Sequence, residues 1–148
     1  REAIILFFSY LDLHLVLMKD IKVALIEDDK AIVDMYVTRF KLTGGFEVGV
    51  ANDGLDGLKL VKDFEPDIIL LDMMMPRMSG IETLTSLRRL PHGQRYKVIA
   101  LTNMKDNDTI KTIKLLHVSE YVVKAEHTPG EIVEKIYTIL GRHNTPKK

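Results

Sequence analysis

From Ile21 onward the chain alternates short apolar runs with longer stretches whose apolar residues recur at helical spacing. The runs at 21–26 (IKVALI), 46–51 (FEVGVA), 67–71 (DIILL), 97–102 (KVIALT) and 120–124 (EYVVK) predict five strands. Three of them are rich in Val, Ile and Leu without strict polar alternation, the pattern of strands covered by helices on both faces. Between the strands, Ile32, Met35, Tyr36, Arg39 and Phe40 follow one helix face, as do Ile132, Val133, Ile136, Ile139 and Leu140 near the end. Ser79 with Glu82 and Thr128 with Glu131 have capping-box spacing, and Pro129 suits a first helical turn, where its missing N–H costs nothing. Asp106 is placed to cap a helix carrying Ile110, Ile113 and Leu116. Gly44 and Gly45 punctuate a helix end, Asn52-Asp53-Gly54 reads as a turn, and Pro66 and Pro91 fall between elements. Repeated βα units predict an α/β fold, a doubly wound (βα)5 three-layer sandwich around a five-stranded parallel sheet.

Length and charge narrow the picture further. The 148 residues suit one domain. Lysine plus arginine balance aspartate plus glutamate at 21 each, so no net field favours nucleic acid or an anionic membrane. The absence of cysteine excludes disulfides, thiolate metal sites and cysteine nucleophiles, and a cytoplasmic protein is the expectation. Residues 1–18 are the compositional anomaly. As a membrane span their apolar run is short and is broken by Asp12 and His14, and no small-residue cleavage site marks a signal peptide. They are expected to be a leader or extra segment outside a working domain at 19–142, with 143–148 a tail.

In open parallel sheets ligands bind at the carboxyl ends of the strands. There the first strand is followed by Glu27, Asp28 and Asp29, the third by Asp72, the fourth ends in Thr102 and the fifth in Lys124. Asp29 directly precedes a helical pattern and reads as its cap rather than as a ligand. Taken singly, Thr102 and Lys124 are ordinary strand-end residues. Together the set is unusual, because carboxylates brought within ~4 Å repel by about 4 kcal/mol per pair at an effective dielectric of 20 unless a cation joins them. Hard oxygen ligands without His or Cys suit Mg²⁺. Met73, Met75 and Met78 read as gap-filling contacts, since thioethers suit soft metals.

The segments LIEDD, DIILLDMMMPRMSG, IALT and EYVVKA together resemble the receiver domain of two-component response regulators, over about residues 21–140. Thr102, Tyr121 and Lys124 lie 30, 49 and 52 positions beyond Asp72, a spacing similar to that of the single-domain chemotaxis members. The resemblance implies a flavodoxin-like sheet of order 2-1-3-4-5. It implies Asp72 as phosphoacceptor, and Mg²⁺ held by Glu27, Asp28, Asp72 and the Met74 backbone carbonyl. Lys124 and Thr102 would contact the phosphoryl group, and Tyr121 would respond to the movement of Thr102. The implied donor is a histidine kinase or a histidine phosphotransfer protein. The implied output is a protein target met through the fourth helix, fifth strand and fifth helix, by a monomer or a phosphorylation-dependent dimer. Such a protein is a signalling switch, catalytic only toward its own phosphorylation and dephosphorylation.

The chain departs from that family's pattern in places. Ala125 follows Lys124 where receivers usually carry a cis proline, and a cis bond before alanine would cost about 2.5–4 kcal/mol, which weighs toward a trans peptide while the sequence leaves the isomer open. His117 stands where a glycine commonly ends the fourth helix. Glu27 replaces a more frequent aspartate, and Asn103 is bulkier than the usual residue after the threonine, so Asn103 and Met74 are expected to modulate access to the phosphoryl group. Four alternatives compete. A haloacid-dehalogenase-type phosphatase needs an aspartate where Met74 stands. A nucleotide-binding Rossmann protein needs a glycine-rich turn that is missing after the first strand. A phosphorylation-independent pseudo-receiver would have lost Asp72 or Lys124, and both are present. A receiver fragment of a larger regulator is the fourth.

Overall fold

The computed structural model describes residues 19–143, so the predicted leader and most of the predicted tail lie outside the described residues. The chain forms β1 (Ile21–Ile26), α1 (Lys30–Thr43), β2 (Phe46–Ala51), α2 (Gly54–Phe64), β3 (Ile68–Asp72), α3 (Gly80–Arg89), β4 (Lys97–Thr102), α4 (Asn107–Leu115), β5 (Glu120–Val123) and α5 (Pro129–Leu140). Short 3₁₀ turns cover Gly93–Arg95 and Lys124–Glu126. All strand pairs are parallel, and the sheet order is β2-β1-β3-β4-β5, as the resemblance implied. Among the described residues no helix is long and apolar enough to cross a membrane.

Two apolar layers sandwich the sheet. Tyr36 and Phe40 of α1 and Ile132, Val133, Ile136 and Tyr137 of α5 pack on Val23, Leu25, Leu70 and Leu101. On the other face, Val61 of α2, Leu84 and Leu87 of α3 and Ile113 of α4 pack on Ala24, Ile26, Ile69, Leu71 and Ala100. Neighbouring strand residues point to opposite layers, so strands buried on both sides read as unbroken apolar runs.

The helices start where the sequence places caps. Asp29 accepts from the Ala31 and Ile32 amides, Asp106 from Thr109, and both predicted capping boxes are formed. Two boundaries differ from expectation. β3 runs one residue later, to Asp72, because Asp72 pairs with Leu101 while the Asp67 carboxylate takes the Lys22 amide. β5 ends at Val123, and Lys124 opens a 3₁₀ turn instead of closing the strand.

His117 adopts φ 55, the left-handed conformation that glycine supplies more easily. The buried Arg88 guanidinium donates to the carbonyls of Leu116 (2.9 Å) and His117 (2.9 Å), satisfying the end of α4 and holding the histidine there. No cis peptide occurs among the described residues, so the Lys124–Ala125 bond is trans.

Candidate functional site

Parallel pairing brings the ends of β1, β3, β4 and β5 to one edge. Ile26 pairs with Leu71, Asp72 with Leu101, and Thr102 with Val123, so Glu27, Asp72, Thr102 and Lys124 fall at successive strand ends along that edge. Order reverses between β1 and β3, and the crevice opens there.

Glu27 is 1% exposed, Asp72 3%, and Asp28 lies open to solvent. One carboxylate oxygen from each lies within 4.8 Å of the others. Lys124 Nζ donates to Glu27 Oε2 at 2.6 Å and lies 3.0 Å from Asp72 Oδ1. Asp72 Oδ1 also accepts from the Met74 amide at 3.1 Å, and Glu27 Oε1 from the Asp29 amide at 3.2 Å. One ammonium thus contacts two of three clustered carboxylates. Burial pushes the Glu27 carboxyl above the usual carboxylate range; Lys124 opposes that shift and Asp72 adds to it. For Lys124, burial disfavours the charge, but its hydrogen bond to Glu27 and the nearby Asp72 outweigh burial and raise its pKa. The crevice therefore holds its cation firmly while carrying more negative charge than that cation neutralises.

Of the sequence-predicted residues, Glu27, Asp28, Asp72 and Lys124 meet directly. Thr102 is fully buried on the neighbouring strand, and its Oγ1 accepts from the Met104 amide at 2.9 Å. Tyr121 lies farther down β5, its ring against the apolar layer under α2, α3 and α4 and its hydroxyl donating to the Met104 carbonyl. Thr102 and Tyr121 thereby grip the same residue of the β4–α4 loop from two sides. Met74 and Asn103 are exposed, whereas Met73 and Met75 are buried in the core as expected of gap fillers.

Two features around the site escape the sequence pattern. Arg77, after β3, donates to the buried loop residue Asp53 at 2.6 Å, and Lys105, after β4, pairs with Glu126, after β5. The only signal for Asp53 is its turn sequence, and nothing in the chain marks its partner.

A family profile described as the response regulator receiver domain matches residues 23–137. A curated protein of Priestia megaterium, named "Probable C4-dicarboxylate response regulator DctR", is 33% identical over 103 residues; the match covers 69% of this chain and 44% of that relative. The chain thus spans less than half the length of that relative. A solved DNA-binding response regulator of the LuxR family from Staphylococcus aureus is 30% identical with a TM-score of 0.73, covering 81% of this chain and 98% of that one. The receiver domain of Francisella response regulator 1452 is 28% identical with a TM-score of 0.73, covering 82% and 98%.

Proposed function

The chain belongs to the response regulator receiver domain family of two-component systems, and from that premise we propose that Asp72 accepts a phosphoryl group from a histidine kinase or histidine phosphotransfer protein. The observation that carries this proposal is the placement of one largely enclosed lysine, its side chain 12% exposed, on both Glu27 and Asp72, with a third carboxylate, Asp28, beside them. A carboxylate oxygen of Asp72 attacks phosphorus, the P–N bond of the donor phosphohistidine breaks, and the imidazole leaves with the electron pair. An acyl phosphate results.

The donor set fits a hard divalent cation, because three carboxylates against one ammonium leave uncompensated negative charge and the clustered ligand atoms are all carboxylate oxygens. Glu27, Asp28, Asp72 and the Met74 carbonyl would hold Mg²⁺, which when bound neutralises charge on the transferred group. Lys124, already 3.0 Å from Asp72 Oδ1, is placed to pass its hydrogen bond to a phosphoryl oxygen. Thr102 supplies a hydroxyl donor from the next strand. Drawing it toward the phosphoryl group loosens its bond to the Met104 amide, and Tyr121, bound to the carbonyl of that same residue, carries the change to the surface of α4, β5 and α5. That surface is the proposed contact for a downstream protein. Met74, two residues beyond Asp72, and Asn103, directly after Thr102, are exposed and are the proposed regulators of access to the phosphoryl group.

Incubation with acetyl phosphate or phosphoramidate, with and without Mg²⁺, tests the proposal by intact mass. A gain of one phosphoryl group that needs Mg²⁺ and is absent in Asp72→Asn is the expected result. No gain in a folded, Mg²⁺-saturated protein would favour a constitutive binding module instead. A receiver unit within a longer regulator is a second possibility alongside a single-domain switch, supported by the greater length of the curated relative. The size of the native protein on a denaturing gel separates the two.

A further inference from the structure

The loop after β3 carries both Met74, two residues beyond the proposed phosphoacceptor, and an unusual turn. Arg77 has φ 66, and the Met78 amide donates to the Pro76 carbonyl at 2.8 Å, closing a three-residue turn around it. Such a turn is strained for any residue except glycine, so something must hold an arginine in it.

Arg77 Nη2 donates to Asp53 Oδ2 at 2.6 Å, and the Asp53 side chain is 13% exposed. The other oxygen, Asp53 Oδ1, accepts from the Asp56 amide at 2.9 Å and caps α2. The two oxygens of one carboxylate are therefore divided between a helix start and the β3–α3 loop. Packing follows the same line: a Cβ on Gly54 would meet Thr83 Oγ1 at 2.1 Å and Met78 at 2.9 Å, so the loop and α3 lie directly on the first turn of α2.

Topology gives this contact its meaning. β1 lies between β2 and β3 in the sheet, so a bond from the loop after β3 to the turn after β2 spans the end of β1, where Glu27 and Asp28 stand. On the β2 side, the Glu27 amide donates to the Ala51 carbonyl at 3.0 Å. On the β3 side, the Gly80 amide donates to the Met73 carbonyl at 3.1 Å and the Met74 amide to Asp72. The ion pair closes a ring of contacts around the acidic crevice.

We propose that Arg77 is a positioning residue of this site: through Asp53 it straps the β3–α3 loop across the end of β1 and fixes the Met74 carbonyl relative to Glu27, Asp28 and Asp72. The metal-holding part rests on the function proposed above; the strapping of the loop does not.

Two readouts on the full chain test it, with Arg77→Ala, Arg77→Lys and Arg77→Gly. Amide exchange at Gly80, measured without metal, reports the loop, and Mg²⁺ titration calorimetry reports the site. Arg77→Ala is expected to speed Gly80 exchange and to weaken Mg²⁺ by about fivefold, the upper range for an ion pair with one exposed partner. Arg77→Lys restores most of both. Arg77→Gly relieves the strained φ, so the protein melts at or above the wild-type temperature while Mg²⁺ weakens as in Arg77→Ala, a split that a purely structural role would not produce. Wild-type Mg²⁺ affinity in Arg77→Ala or Arg77→Gly would overturn the positioning role. If the wild-type chain itself binds no Mg²⁺, the functional proposal fails, and Gly80 exchange alone decides the strap: an unchanged rate in Arg77→Ala overturns it.

Discussion

Leu70 and Asp72 stand two residues apart on β3, on the same side of the sheet, 0% and 3% exposed. Around Leu70 the neighbours are Leu25 and Ile99 on the adjoining strands, with α1 and α5 above, and each gains by leaving water. Around Asp72 they are Glu27, Asp28 and Lys124, and burial there works against the charges. One strand thus passes from packing that stabilises the fold to electrostatics that strains it. The apolar body of the sheet offsets the repulsion at its edge, the usual relation between a scaffold and the site it carries.

The largest break in this comparison comes from the body. Leu70→Ala is expected to destabilise the protein by about 2–5 kcal/mol in denaturant melts, because a fully buried side chain leaves a cavity in both strand and helix packing. At the edge the sign reverses. Asp72→Asn removes one carboxylate from the cluster and is expected to stabilise the metal-free protein by about 1 kcal/mol while abolishing phosphoryl acceptance. The gain depends on pH through Glu27, whose folded-state carboxyl is raised by burial with a contribution from Asp72. The folded protein binds that proton more tightly than the unfolded chain does, so wild-type stability falls as pH rises from the usual carboxylate range through the raised value. The gap between Asp72→Asn and wild type should widen over that interval in thermal melts without divalent ions, and narrow again with Mg²⁺. A gap that stays constant with pH would mean that the carboxylates do not repel one another.

The same contrast explains what the sequence could reveal. The strand bodies were legible because burial on two faces leaves an apolar run, and Ser79, Asp106 and Thr128 announce their helices by cap chemistry that is local in the chain. Glu27, Asp28, Asp72 and Lys124 were legible by a different route: each sits where its strand stops, and parallel topology brings those ends together. The one-residue shift of β3 and the early end of β5 are boundary effects of strand pairing. Arg77 with Asp53, Arg88 with the end of α4, and Lys105 with Glu126 were not legible. Each joins loops or element ends whose meeting depends on the finished fold, and no periodicity marks which charged loop residue will face which.

The smallest effect belongs to the second loop-to-loop ion pair, and it sharpens the comparison. Lys105 and Glu126 tie the loop after β4 to the turn after β5, with side chains 65% and 52% exposed. Their hydrogen bond holds the Glu126 carboxyl below its usual range and the Lys105 ammonium above its own. Glu126 therefore has the opposite slope to Glu27: its contribution is present above the usual carboxylate range and disappears as pH falls through the lowered value. Because both partners are open to water and salt, Lys105→Ala should leave the melting temperature nearly unchanged, with any difference vanishing in high salt or at acid pH. Arg77→Ala should retain its effect on Mg²⁺ affinity at the same salt, since its partner Asp53 is almost enclosed. Equal salt sensitivity in the two variants would show that the enclosure of Asp53 does not strengthen the strap, and that the two pairs differ only in what they span.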